Sequence, residues 1–269
     1  MPVAPSLLAE LLPTAQTQWE PATGGESGAT VLHDRAGRRY AKVVSSDHAE
    51  ELAGERARID WLSSTGVPCA VVLDWRATDA GACLVTRAVH GVPADRLGPR
   101  ALRSAWPSIV ETLRALHGLP TDQCPFDRRL ASVMPAARAT VAEKRVNVGF
   151  LPLALQSTPP PLILEQLEAE LPRRLAQEGP ELAVCHGDLC LPNLLIDPVT
   201  DQVTGLIDLG RLGTADPHGD IALLLATART IWPDEQTARQ AERDFEQWYG
   251  AVVDPERQDF YLRLDALTW

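Results

Sequence analysis

Apolar and polar positions alternate along "RRYAKVV" (38–44): Tyr40, Lys42 and Val44 fall on one face, Ala41 and Val43 on the other, which predicts a strand. Before it, "TGGESGATVLH" (23–33) reads as strand, glycine turn, strand. The period then lengthens. "SDHAEELAGERARIDWLSSTG" (46–66) has helical spacing, a Ser or Asp at its start to cap it, and Gly66 past its end. "AVVLDWRA" and "ACLVTRAV" predict two further strands. From "HGVPADRLGPR" onward the pattern is helical, with Leu102, Ile109, Leu113 and Leu116 in one stripe and Pro107 marking a first turn or a kink. Residues 120–160 are Pro-rich and less periodic, and the prolines of "STPPPLILEQLEAELPRRL" are expected to open a helix through Leu167 and Leu171. "NLLIDPVTDQVTGLID" predicts a hairpin, and helices run from about Asp220 to the end. The expectation is an α+β chain, with a small β-rich lobe over 1–88, a larger helical lobe over 89–269, and a hinge near 86–91.

Composition narrows the classes. The 269 residues contain no internal repeat, no low-complexity tract and no apolar run near the ~20 residues a membrane helix needs. "MPVAPSLLAELLP" has no basic stretch ahead of its short apolar patch, so a secretory signal is not expected. Five cysteines, at 69, 83, 124, 185 and 190, cannot all pair and suggest no disulfide framework, which fits a reducing cytoplasm. A net charge of −11 with 5% aromatics argues against a nucleic-acid binder, and no membrane partner is expected. An acidic surface keeps a protein soluble and can also draw in a cationic small molecule. Lysine occurs only at 42 and 144, which makes each worth a question. Oligomeric state is not legible.

Glu55 falls between Leu52, Ile59 and Leu62 on the apolar stripe of its helix. A carboxylate there is costly unless a cation meets it, and Lys42 on the neighbouring strand is the candidate; otherwise the side chain snorkels to water. "GGESG" supplies Gly24, Gly25, Ser27 and Gly28, whose backbone can approach an anion closely, although most glycine hairpin turns are only turns. "VCHGDLCLPNLLID" (184–197) is open to three readings. Cys185, His186 and Cys190 could ligate zinc, but the spacing is wrong for the usual sites. A cysteine nucleophile would need a poised His, and buried free thiols are more often just small core residues. In the third, Asp188, Asn193 five residues later and Asp208 in "IDLGR" supply one carboxylate to accept a hydroxyl proton, plus an amide and a carboxylate to hold Mg²⁺ on nucleotide phosphates.

The glycine turn, Lys42, Glu55, "HGDLCLPN" and "IDLGR", in that order, resemble the aminoglycoside O-phosphotransferases, a family with a bilobal protein-kinase-like fold. The longer segments "ELAGER", "GACLVT", "DQCPFDRRL", "LIDLGRLGTAD" and "FYLRLDALTW" are similar to its streptomycin 3″-phosphotransferase branch. The resemblance implies an ATP- and Mg²⁺-dependent enzyme that phosphorylates a cationic aminoglycoside, streptomycin above others. It implies Asp188 as catalytic carboxylate, also meeting the substrate hydroxyl, with Asn193 and Asp208 on Mg²⁺. Lys42 would reach the α/β-phosphates and pair with Glu55, and Gly24, Gly25, Ser27 and Gly28 would cover the triphosphate. Thr86, Arg87 and Val89 at the hinge would receive the adenine, mostly by backbone. Asp220 would brace the catalytic loop, while Asp265 and the carboxylate of Trp269 would meet substrate cations. Gly187 and Leu209 stand where protein kinases carry Arg and Phe, so a small-molecule kinase without activation-loop control is expected. Alternatives are a phosphotransferase for another hydroxylated molecule and a nucleotide-binding module without catalysis.

Overall fold

The computed structural model describes residues 4–12, 18–22 and 29–269. Gly24, Gly25, Ser27 and Gly28 lie outside the described residues. Contacts divide the chain into two compact units, residues 1–91 with 204–210, and residues 92–203 with 211–269.

The first unit opens with helix α1 (Pro5–Leu11) and strands β1 (Trp19–Pro21), β2 (Thr30–Asp34) and β3 (Arg39–Ser45). Helix α2 (Ala49–Leu62) and strands β4 (Val71–Thr78) and β5 (Gly81–Arg87) follow. The strands form one antiparallel sheet in the order β1-β2-β3-β5-β4, with Lys42 opposite Val31 on one side and Leu84 on the other. Alternation on β3 is as the sequence implies. Ala41 and Val43 join Leu11, Leu32, Cys83 and Val85 in a core covered by α1, and Lys42 points to the opposite face. One local expectation fails: neither Ser46 nor Asp47 caps α2. They belong to a 3₁₀ turn over Ser46–His48, and His48 at the N-cap makes no side-chain capping bond. The segment 204–210 joins this unit beside Cys69, where Ala70 N donates to Leu206 O at 3.0 Å.

In the second unit, strand β6 (Val92–Pro93) precedes helices α3 (Pro99–His117), α4 (Leu130–Ala142) and α5 (Pro160–Glu178). Strands β7 (Ala183–Cys185) and β8 (Leu194–Ile196) follow, and β9 (Val203–Leu206) carries the chain into the first unit. Strand β10 (Gly213–Ala215) and helices α6 (His218–Arg229), α7 (Glu235–Tyr249) and α8 (Pro255–Ala266) complete it. The hairpin anticipated over 193–208 is present as neighbouring β8 and β9, its turn closed by Asp197 N donating to Gln202 O at 2.9 Å. Pro107 marks no helix start; α3 begins at Pro99 and Pro107 lies inside it. Pro160 does open α5, where a missing N–H costs nothing. Leu130, Met134, Ile163, Leu167, Phe260 and Leu264 pack α4, α5 and α8 together. Strand β7 pairs with β10, Cys185 opposite Gly213, and so fixes the root of the loop at 186–193.

Candidate active site

In the first unit, three charged groups meet on the face of the sheet opposite α1. Lys42 Nζ lies 2.8 Å from Glu55 Oε2 and 2.9 Å from Asp208 Oδ1. Glu55 is buried with Leu52, Ile59 and Leu62, so it does not snorkel: the cation comes to it. Burial works against the Lys42 ammonium, yet Glu55 and then Asp208 raise its pKa above the usual lysine value. Burial also pushes the Glu55 carboxyl up, and Lys42 opposes this. Asp208 is exposed and sits at φ +62°, a left-handed conformation that Asp tolerates better than most residues. At the end of β5, half-buried Thr86 and Val89 and exposed Arg87 lie near Tyr40. Arg87 and Val89 line a groove of about 750 Å³ with Arg38, Tyr40, Leu73 and His90.

In the second unit, the loop after β7 is built around Asp188. Asn193 Nδ2 donates to Asp188 O at 2.8 Å and to Asp188 Oδ2 at 3.1 Å, so the amide orients the carboxylate and its own Oδ1 points elsewhere. Cys190 N donates to Asp188 O, and Asp188 N to His186 Nδ1 at 3.3 Å. From α6, buried Asp220 accepts the His186 amide at 2.6 Å and the Gly187 amide at 2.8 Å. Burial disfavours its charge, but His117 and the His186 amide hold the Asp220 carboxyl below the usual value. Gly187 sits at φ +80°, and a Cβ there would run into the Arg211 carbonyl oxygen and lie 2.6 Å from Arg128 Nε. Only glycine fits.

The end of the chain is held to the same unit. Arg211 donates to Asp265 Oδ1 at 3.2 Å and to Thr268 O at 2.9 Å, and its Cζ lies 3.5 Å from the centre of the Trp269 ring. Trp269 Nε1 reaches Asp265 Oδ2 at 3.3 Å. Both Asp265 oxygens thus have partners within the chain. Burial raises the Asp265 carboxyl, while Arg211 and Arg128 oppose the shift. Arg128 itself is lowered to about 10, first by burial and then by Arg211.

Neither cysteine reading of the loop finds support in the geometry. Burial pushes the thiols of Cys185 and Cys190 well above their usual value, which disfavours the thiolate a nucleophile or metal ligand needs. The described residues do bring His117, Cys185 and Asp220 within ligating reach of one another. His117 and Asp220 already hydrogen-bond to each other, at 3.2 Å, and the Cys185 thiol faces Ala183 O. His117, Arg128 and Arg211 have no role in the sequence reading. The one available signal for His117 was a polar residue closing the apolar stripe of its helix.

A β-rich unit with a strand lysine paired to a helix glutamate, and a helical unit with a His-Gly-Asp loop closed by Asn, define a kinase-like phosphotransferase. The chain belongs to the phosphotransferase enzyme family, whose profile matches residues 18–261. It is 54% identical to the streptomycin 3″-kinase of Streptomyces griseus, over 93% of this chain and 92% of that one. An aminoglycoside 3′-phosphotransferase of Streptomyces fradiae is 41% identical, covering 92% and 94%. Among solved structures, aminoglycoside phosphotransferase APH(3″)-Id of Streptomyces rimosus, in complex with ADP and streptomycin, superposes with a TM-score of 0.92. It is 46% identical, with 98% of this chain and 96% of that chain covered. No helix among the described residues is long and apolar enough to cross a membrane.

Proposed function

We propose that this chain is a streptomycin 3″-kinase, acting in the cytoplasm, that moves the γ-phosphoryl group of ATP to the 3″-hydroxyl of streptomycin and so confers resistance to the drug. The 54% identity to the Streptomyces griseus streptomycin 3″-kinase, across nearly the whole chain, carries this reading. In the reaction the drug's hydroxyl oxygen forms a bond to the γ-phosphorus, the bond from that phosphorus to the β,γ-bridging oxygen breaks, and ADP leaves. The hydroxyl proton passes to the carboxylate of Asp188, which Asn193 orients through two hydrogen bonds. Lys42, held charged by Glu55 and Asp208, offers a cation for the nucleotide's phosphates. The groove at Tyr40, Arg87 and Val89 takes the adenine.

The donor set suits Mg²⁺, which prefers hard oxygen ligands. Asn193 turns its nitrogen toward Asp188 and keeps Oδ1 as an oxygen donor, and Asp208 gives one oxygen to Lys42 and retains the other. Mg²⁺ held by either oxygen would offset charge on the phosphates. The acidic balance, −11 overall, favours approach of a drug that carries two guanidinium groups.

The test is ADP release from purified protein with Mg-ATP, alone, with streptomycin and with kanamycin. Streptomycin-selective release is expected. Release with neither drug, in protein that still binds Mg-ATP, would overturn the substrate, and turnover on a different alcohol would replace it. Asp188→Asn is expected to lower kcat on the order of 10²–10⁴-fold, the usual range for a lost general base.

A further inference from the structure

A line of hydrogen bonds crosses the second unit and ends on the catalytic loop. Tyr249 Oη lies 2.7 Å from His117 Nδ1, and His117 Nε2 lies 3.2 Å from Asp220 Oδ2. Asp220 in turn accepts the amides of residues 186 and 187, one on each oxygen. Tyr249 is the last residue of α7, which ends at Gly250 in the left-handed conformation (φ +89°). Its ring stacks on Phe245, with centroids 5.1 Å apart, and meets the His117 ring edge-on at 5.8 Å. His117 is the last residue of α3. Three helices therefore each contribute one member.

Chemistry sets the direction of every bond. Burial, then Cys185 and Asp220, raise the Tyr249 pKa well above that of a free phenol, so its oxygen keeps a proton to give. Asp220 is held as a carboxylate, so it can only accept. His117 sits between a donor and an acceptor. Its neutral form fits in one tautomer, Nδ1 receiving from Tyr249 and Nε2–H giving to Asp220. The imidazole side chain is 5% exposed and the Asp220 side chain 1%, so water does not compete for either. A carboxylate that rotated about its own axis would lose an amide. The third contact from His117 resists that rotation.

We propose that His117 and Tyr249 are positioning residues for phosphoryl transfer. They fix the Asp220 carboxylate, Asp220 fixes the amides of residues 186 and 187, and those fix the approach of Asp188 to the substrate hydroxyl. This rests on Asp188 being the proton acceptor. A group that acts only on the position of that carboxylate changes kcat and leaves substrate affinity alone.

The test uses the full chain with Tyr249→Phe, His117→Gln, His117→Leu and Asp188→Asn, singly and paired. Tyr249→Phe is expected to lower kcat about 3–10-fold, the equivalent of one buried neutral hydrogen bond, with both KM values unchanged. His117→Leu is expected to cost more, and His117→Gln to recover part of the loss, because the glutamine amide can still donate to Asp220. The decisive result is coupling: Tyr249→Phe should have no further effect beside His117→Gln, and none beside Asp188→Asn. In ¹⁵N-histidine NMR spectra His117 should appear as the Nε2–H tautomer, and Tyr249→Phe should move its Nδ1 resonance. Wild-type kcat in folded Tyr249→Phe and His117→Leu proteins would overturn the proposal. So would a Tyr249→Phe effect that persists undiminished beside His117→Gln. If His117→Leu does not fold, Tyr249→Phe, His117→Gln and the NMR tautomer still decide. Full turnover by Asp188→Asn would instead refute its role as proton acceptor, and the positioning role with it.

Discussion

Replacing Gly187 by alanine adds one methyl group at a closely packed point of the loop at 186–193. The residue's φ of +80° is open to glycine and costs an L-residue roughly 1–2 kcal/mol. The new Cβ would also collide with the Arg211 carbonyl and lie 2.6 Å from Arg128 Nε and 2.7 Å from Arg128 Cδ. Neither neighbour yields easily. Arg211 is tied to Asp265 and Thr268 and lies over the Trp269 ring, and its carbonyl is backbone. The overpacking adds about 1–3 kcal/mol, for a total on the order of 2–5 kcal/mol. The loop can reduce this only by moving, and movement withdraws the Gly187 amide from Asp220 and shifts Asp188. A displacement of ~1 Å at a reacting group can cost ~10²-fold in rate. The assay is streptomycin-dependent ADP release, with thermal unfolding followed in parallel. The expected result is a Tm lower by several degrees and a kcat reduced at least ~10-fold, measured where the variant is folded. A variant with wild-type Tm and kcat would show that the loop has room this structure does not contain, and the account of why residue 187 is glycine would be refuted.

Two further outcomes follow from the buried charges. Glu55→Gln keeps an acceptor near Lys42 and leaves Asp208 as its one carboxylate partner among the described residues; it is expected to cost ~1–2 kcal/mol, seen mainly as a lower kcat/KM for ATP, and an unchanged value would sever the pair from nucleotide use. Asp216 is buried, which disfavours its charge, but His218 and Arg257 bring its pKa from 3.8 to about 2, so its carboxylate is more acidic folded than unfolded. It therefore contributes about 2 kcal/mol of stability above pH ~4, lost as pH falls toward 2. Asp216→Asn should flatten Tm against pH over that window, and equal slopes in variant and parent would count against the Arg257–Asp216 pair as the cause.

Much of the site was legible because short-range periodicity carries it. The alternation around Lys42 and the place of Glu55 between Leu52 and Ile59 put both on facing surfaces of adjacent elements, and the structure joins them at 2.8 Å. The β8–β9 hairpin was legible from its turn residues. Contacts set by long-range packing were not. The second carboxylate on Lys42 comes from a residue 166 positions away, and the imidazole on Asp220 from one 103 positions away. No local pattern announces either. Of the two readings of Pro107, first turn or kink, long-range packing excludes the first. Pro107 lacks an amide to give its own helix, yet Leu102, Trp106 and Ile109 around it are fully buried, and tertiary packing keeps α3 continuous through it. The capping residues before α2 misled because a 3₁₀ turn occupies Ser46–His48.

Residues 204–210 belong by contact to the unit that begins the chain, although more than a hundred residues of the other unit separate them from it. On a ribosome this imposes a schedule. When the first 91 residues have emerged, Lys42 has Glu55 but waits for Asp208, and the backbone at Cys69 and Ala70 waits for Leu206. The first unit thus cannot reach its final form until about three-quarters of the protein has been made, and its closing contacts carry the slow, non-local character that retards folding. A nascent chain stalled before Leu206 would expose a Lys42–Glu55 pair still missing Asp208, and a split of the gene near residue 91 would yield two fragments that must find each other before the first unit could be completed.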